Sequence, residues 1–391
     1  MEVDDMKGKT GMRVFSVLLA VLLVSVGVVP AAAFDESDEE LFTLPSEGEN
    51  AVNLDGIKIP DLQTEDSQEP VIITAELSPM ESSGTCDLGI HEIPSGSIIH
   101  HTKDGLTRVY SSDGKQILSA VDSMAKEIAT PRGFRPATFV SQVPSGSHVI
   151  HQDNATYVFQ KGNLILTVLC DQPYEYNGSL QKNEYMDVGG FNGWIEYAYK
   201  NIPQITQFDA YWKAPTCPPS SEFAEPVFLF NGIRTPDETA IVQPVLEYNQ
   251  PITGPYWTGC CWALEDGMQD IHSDRIAITT GDTLKGELHW SGTYGQWYIK
   301  ISDITTGEAK SLWSNYVPTT NVQVDVALEG WNIDDNSDVP GDTRFYNMVY
   351  KNNGNPISVT LYRYISSSAP LTGLGVEFVS NPTEVILHTA N

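Results

Sequence analysis

The 391-residue chain carries 51 acidic against 22 basic side chains, a formal charge of −29, and 41% of its residues are apolar. The apolar share suffices for a packed core, while the charge repels nucleic acid and anionic lipid and excludes both as partners. Toward the pI of about 4.4 this repulsion fades as carboxylates protonate, a composition suited to work in mild acid.

Lys7, Lys9 and Arg13 precede an unbroken run of apolar and small residues from Val14 to Val29, which closes on Ala31-Ala32-Ala33. This is the layout of a signal peptide over residues 1–33, since the run is shorter than the ~20 residues of a membrane span. The mature chain is therefore expected to be secreted and free of the membrane. Residues 34–85 follow as an acidic leader. Between Phe34 and Pro70 there are twelve acidic residues and one Lys, too polar a stretch to order itself.

Residues 86–185 contain an internal repeat. Pro94-Ser-Gly-Ser-Ile-Ile-His-His101 is echoed by Pro144-Ser-Gly-Ser-His-Val-Ile-His151, and Thr107-Arg-Val-Tyr110 by Thr156-Tyr-Val-Phe159. Each copy reads as a small β unit entered through a Pro-Ser-Gly-Ser turn. Between the copies, Gly114 to Ile128 is expected to include a helix, with Asp122, Met124, Lys126 and Glu127 suited to it and Pro131 to end it. The four histidines of the repeats lack a His-Glu-x-x-His helix, so neither a metal nor another cofactor is expected.

From 186 to 391, Trp and Tyr become dense and short β-rich runs recur between Gly, Pro and Asn. The expected fold is all-β: an antiparallel double-sheet sandwich preceded by the small repeat domain. Candidate strands include Gln207–Lys213, Ala240–Tyr248, Asn321–Leu328 and Glu384–His388. Cys86, Cys170, Cys217, Cys260 and Cys261 suggest disulfides in an exported chain, with an odd thiol left over.

No Gly-x-Ser-x-Gly elbow, P-loop or dinucleotide-binding glycine run is present. Two polar residues in apolar surroundings stand out instead. Ala240-Ile-Val-Gln243 places an amide inside an apolar strand. Val324-Asp-Val-Ala-Leu-Glu329-Gly-Trp331 places a carboxyl beside an aromatic wall, where desolvation raises its pKa.

At these residues the chain resembles the glutamic peptidases, the eqolisin and neprosin-like group, acid-active enzymes on a concanavalin-like sandwich. Ala240-Ile-Val-Gln243 is similar to the strand that carries their catalytic Gln, and Glu329 with Trp331 and Asp334-Asp335 to their Glu motif. Tyr211-Trp-Lys-Ala-Pro215 and Thr280-Gly-Asp-Thr-Leu284 match further pieces in the same order, and Gln243-Pro-Val-Leu246 is similar to uncharacterised prokaryotic relatives. The resemblance implies a secreted endopeptidase acting on polypeptides without cofactor. Glu329 would activate water and Gln243 would hold the water and the oxyanion. The resemblance also admits residues 34 to about 185 as a propeptide covering the cleft, the alternative being that the repeats form a binding or surface-attachment module.

Gly330 separates Glu329 from Trp331, an insertion that a bulge at the glycine would absorb. Glu247 shares a strand face with Gln243 and is the substitute carboxylate. Trp212, Tyr256, Trp257 and Trp331 are expected to line the substrate cleft. Two other readings stay open. One is a non-catalytic, lectin-like sandwich that binds carbohydrate or a surface, with Asp334 to Asp338 and Asp342 as oxygen ligands for calcium. The other is a glycosidase using Glu247 and Glu329.

Overall fold

Strand alternation in the sequence becomes two packed sheets. In Val322-Gln-Val-Asp-Val-Ala-Leu-Glu329 every second residue is aliphatic, so one face of the strand is apolar and the other carries Gln323, Asp325 and Glu329. Val322, Val324, Val326 and Leu328 are wholly buried or nearly so. Each contributes roughly 1.5–3 kcal/mol by leaving water. The computed structural model describes residues 54, 57–65, 69–79, 90–171, 190–220, 225–250 and 253–391. The signal peptide, most of the leader and Cys86 lie outside the described residues.

The first sheet has eleven strands. In chain order, the segments that matter to the site are β1 (Glu76–Ser78), a separate hairpin of β2 (Glu127–Thr130) and β3 (Gly133–Pro136), then β4 (Val140–Val143), β5 (Phe191–Gln204), β6 (Val227–Arg234), β7 (Ala240–Gln250), β8 (Gly254–Glu265), β9 (Asp270–Ser273), β10 (Thr320–Ile333) and β11 (Tyr362–Ile365). Across the sheet, their order is β1-β4-β9-β8-β7-β6-β10-β5-β11. The second sheet has fourteen strands and includes both repeats. The fold is thus an all-β sandwich.

The two copies of the repeat turn in the same way. Ser97 and Ser147 donate their hydroxyls to the carbonyls of Pro94 and Pro144, at 2.6 and 2.7 Å. Gly96 and Gly146 take φ of 84° and 83°, which the glycine in Pro-Ser-Gly-Ser permits. The strands they launch join the sandwich. Ser147–Gln152 pairs in parallel with Ala309–Ser314, and β4 pairs in parallel with β9. Leu44–Asn391 forms one compact unit in which strands from both halves of the chain share each sheet.

The helix expected between Gly114 and Ile128 is absent. Gln116–Val121 is a strand, Asp122–Met124 a single 3-10 turn, and Glu127–Thr130 a strand again. Asp122 explains the break: its carboxyl is buried and accepts from the Thr107 hydroxyl at 2.5 Å, a tertiary bond that holds the local chain. The expected disulfides do not form among the described cysteines, whose four thiols are free. Cys260 and Cys261 are neighbours on one strand and so point to opposite faces, which rules out a bond between them.

Candidate active site

The register of the first sheet fixes which side chains share a face. Phe228 stands opposite Glu247 on β7 and Glu329 on β10, while Gly232 stands opposite Asp325. Pairing continues from Phe230–Val245 to Ile233–Val242 without a shift, which sets Gly232 beside Gln243. Gln243, Glu247, Asp325 and Glu329 therefore all project from one face. The other face turns to the second sheet: a Cβ on Gly286 would meet Asn231 Oδ1 and Pro244 Cγ at 2.0 and 2.8 Å. The candidate residues thus lie on the outer face of the sandwich.

Two rows cross that face. One runs Thr258, Glu247, Phe228, Glu329, Trp194, and the other runs Trp262, Gln243, Gly232, Asp325, Tyr199. Gln243 and Glu329 are consequently two strands apart and four residues out of step. Strand geometry puts their α-carbons roughly 16 Å apart. The structure does not bring these two motif residues side by side. Glu247 and Glu329 do share a row, but Phe228 stands between them.

Gln243 is wholly buried, and neither its amide nitrogen nor its oxygen has a hydrogen-bond partner among the described residues. Glu329 is also wholly buried. Its carboxyl is pushed well above the ordinary range by burial, which outweighs the pull of Arg132, Arg234 and the Trp331 indole. Asp325 is raised to about 7 by burial, against the opposing charge of Arg234, whose Nε lies 3.1 Å from Asp325 Oδ2. Arg234 in turn rests on Trp194, 4.2 Å from the ring centre, and pairs with Glu238 at 2.7 Å.

Glu247 has a different environment. It accepts from Arg275 Nε, from the Thr258 hydroxyl at 3.1 Å and from the Gln250 amide at 3.3 Å. Its acceptor positions are engaged in a structural network.

The bulge expected at Gly330 falls just beyond it. Phe191 pairs with Ile333 and Gly193 with Gly330, so β10 fits an extra residue in at Trp331–Asn332, and Asn332 turns left-handed with φ of 60°. Of the expected cleft aromatics, Trp331 lies beside the site. Trp212 and Trp257 are packed in the core instead, against Phe345 and Tyr248 respectively, and the Trp257 indole donates to the Pro215 carbonyl at 3.1 Å. Tyr256 is 51% exposed near the start of β8.

The β2–β3 hairpin lies over the outer face. At its tip, Arg132 donates to the carbonyls of Glu238 and Thr239 in the β6–β7 turn, at 2.5 and 2.7 Å, and to Asp266 Oδ1 at 2.6 Å. The next residue, Gly133, approaches Trp331 so closely that a Cβ there would stand 3.4 Å from the indole, and Phe134 meets the same ring edge-on at 6.1 Å. The tip therefore spans the space above Gln243, Asp325 and Glu329.

Other candidates do not assemble. Among the described residues, no group of three or more His, Cys, Asp or Glu is placed to hold a metal ion. Asp338 accepts from the backbone of Asp334 and Asp335 at 2.8 and 2.9 Å, so the acidic run closes its own turn. A cavity of about 670 Å³ opens elsewhere, lined by His100, Tyr157, Cys170 and Asp171 among others. Burial pushes the Cys170 thiol up to about 12, which leaves it inert as a nucleophile.

Asp325, Arg234 and Gly232 were not singled out from the sequence. The available signal was the one that exposed Gln243, a polar residue within an aliphatic run, here Val324-Asp325-Val326.

No protein-family description matches the chain, and no curated protein does. Among solved structures, it is similar to scytalido-glutamic peptidase bound to a transition state analog inhibitor, at 16% identity and a TM-score of 0.38, over 51% of this chain and 98% of that one. It is similar to aspergilloglutamic peptidase from Aspergillus niger at 16% identity and a TM-score of 0.28, over 43% and 100%. It is also similar to Xenopus laevis galectin-Ib at 10% identity and a TM-score of 0.23, over 34% and 92%.

Proposed function

We propose that the chain is a secreted peptidase of the glutamic type, which hydrolyses peptide bonds on the outer face of its first sheet. The observation that carries this reading is Gln243: a wholly buried amide with no partner among the described residues, on the same face as carboxyls whose pKa values burial raises. A free amide donor is what a developing oxyanion needs, and a carboxyl whose pKa burial has raised is, once ionised near neutral pH, a stronger base toward water. Water adds to the amide carbon as a carboxylate takes its proton. Gln243 donates to the oxyanion, and the proton passes to the leaving nitrogen as the C–N bond breaks. No metal or covalent intermediate is invoked.

The hairpin tip above the face gives the segment before β5 the role of a cover. In this reading the structure is the closed form, and substrate enters after the cover is displaced or removed.

The test is cleavage of a denatured protein from about pH 2.5 to 9 by the mature chain, with pepstatin and a chelator present. Gln243→Ala is expected to lower the rate ~10²–10³-fold. No cleavage in any condition, with the cover displaced, would remove the peptidase reading.

A lectin-like binding role has one observation in its favour. Tyr362 and Tyr364 on β11 are 54% and 44% exposed and stack toward Tyr199 and Tyr197, forming an aromatic strip at the sheet edge. Binding of the chain to immobilised glycans, abolished in the double variant Tyr362→Ala/Tyr364→Ala, would support that role.

A further inference from the structure

We propose that Asp325 is the carboxyl that works with Gln243, the two holding one water molecule between them above Gly232. The inference rests on the peptidase reading and assigns its general base.

Three observations carry it. Asp325 and Gln243 occupy one row of the sheet, separated by a single strand, so their α-carbons are roughly 10 Å apart. That is the span which an Asp, a water and a Gln side chain together bridge. The residue between them is a glycine, and the space its missing side chain leaves is bordered by Asp325 Oδ1, Ile241 Cδ1 and Phe230 Cδ2, at 3.0, 3.3 and 3.5 Å from where a Cβ would stand. A Cβ at Gly232 would stand 3.0 Å from Asp325 Oδ1, which shows the carboxyl leaning over the glycine toward Gln243. In the parallel row, Phe228 fills the equivalent position between Glu247 and Glu329. Finally, the Gln243 amide has no partner among the described residues, whereas Glu247 is saturated by Arg275, Thr258 and Gln250.

Asp325 faces Arg234 and Glu238, the Tyr197 phenol on β5 and Glu329 on its own strand, and the first two position it. Arg234 on β6 fixes Oδ2 at 3.1 Å and leaves Oδ1 directed over Gly232. Glu238, in the turn after β6, holds Arg234 from its far side. Gln323 on β10 and Trp194 on β5 complete the cradle of that guanidinium. In the reaction Asp325 accepts a proton from the shared water as its oxygen bonds to the peptide carbon. It then returns that proton to the departing nitrogen, so the carboxylate is regenerated.

The test uses the full chain. Glutamine side chains are labelled with ¹⁵N, Gln243→Ala identifies the Gln243 amide signal, and that signal is followed from about pH 5 to 9. It is expected to move in one step in the wild type and in Glu329→Gln, and to stay flat in Asp325→Asn. A flat wild-type signal, or a step that survives Asp325→Asn, overturns the pairing whether or not any peptide is cleaved.

In protein that cleaves peptide, Asp325→Asn is expected to lower kcat by ~10²–10⁴ with little change in KM, and to abolish the rise of rate with pH. Gly232→Ala, which alters neither acid nor amide, should lower kcat tenfold or more by intruding on the water. Far-UV circular dichroism confirms that both variants fold. Activity that survives Asp325→Asn, or falls more deeply in Glu329→Gln, overturns the assignment. A wild type that titrates as expected but never cleaves ends the peptidase reading and the base role together, and leaves the shared water standing.

Discussion

Glu76 and Glu247, brought from β1 and β7, lie against a single guanidinium, that of Arg275. Both carboxylates are wholly buried, and His272 adds Nε2 at 2.8 Å to Glu76. Arg275→Met would strand two buried negative charges. The expected cost is about 3–5 kcal/mol, seen as a lower urea midpoint at unchanged slope.

The same network sets an acid dependence. Burial alone would raise Glu76, but Arg275 and His272 favour its carboxylate and bring it down to about 2. Its folded value lies below the unfolded value of 4.5, so its stabilisation is complete above pH 4.5 and drains away as pH falls toward 2. Glu76→Gln is expected to flatten the loss of stability across that window in acid titrations. An unchanged slope would count against the network.

Glu196 behaves in the opposite sense. Burial raises its carboxyl to about 8, even though Oε2 accepts from the Gly375 amide at 2.9 Å. The folded value exceeds the unfolded 4.5, so stability is highest below pH 4.5 and is lost as pH rises through 8. Thermal melts at several pH values should show Glu196→Gln gaining on the wild type across this range, by on the order of a few kcal/mol, with no further gain above it.

Arg132 ties the hairpin tip to the β6–β7 turn through three bonds, all near the surface. Arg132→Ala is expected to speed amide exchange from Ile128 to Phe134 while lowering global stability by only ~1 kcal/mol. Equal acceleration throughout β10 would show that the hairpin does not open by itself.

Gly286 marks a close approach of the two sheets. A Cβ there would stand 2.0 Å from Asn231 Oδ1 and 2.9 Å from the Trp212 ring. Gly286→Ala should destabilise the sandwich by ~1–3 kcal/mol or more, and Asn231→Ala in the same chain should recover part of the loss. Full stability in the single variant would contradict this packing.

Strands with clean alternation were legible to the residue. Gln207–Lys213 and Glu384–His388 keep the bounds read from sequence. The Gln243 strand and the polar face of β10 were also visible, because an amide or acid among aliphatics has few physical explanations. Which acid lies level with Gln243 was not visible. That depends on the register of β6 against β7 and β10, which is set by packing across three strands and not by any one of them. Nor could local pattern show that Ser147 pairs with Leu312, since parallel partners so far apart in sequence leave no turn between them.

Those distant parallel pairings bear on how the chain acquires its shape. The strands of the first half present unsatisfied edges until residues 270–314 have been made, because β9 and Ala309–Ser314 are their partners. Closure of both sheets must therefore wait for the last third of synthesis. A topology so rich in non-local contacts folds slowly, in milliseconds to seconds even for small domains. A nascent chain of this kind stays open for much of its emergence, with edge strands that invite aggregation if it lingers at high concentration.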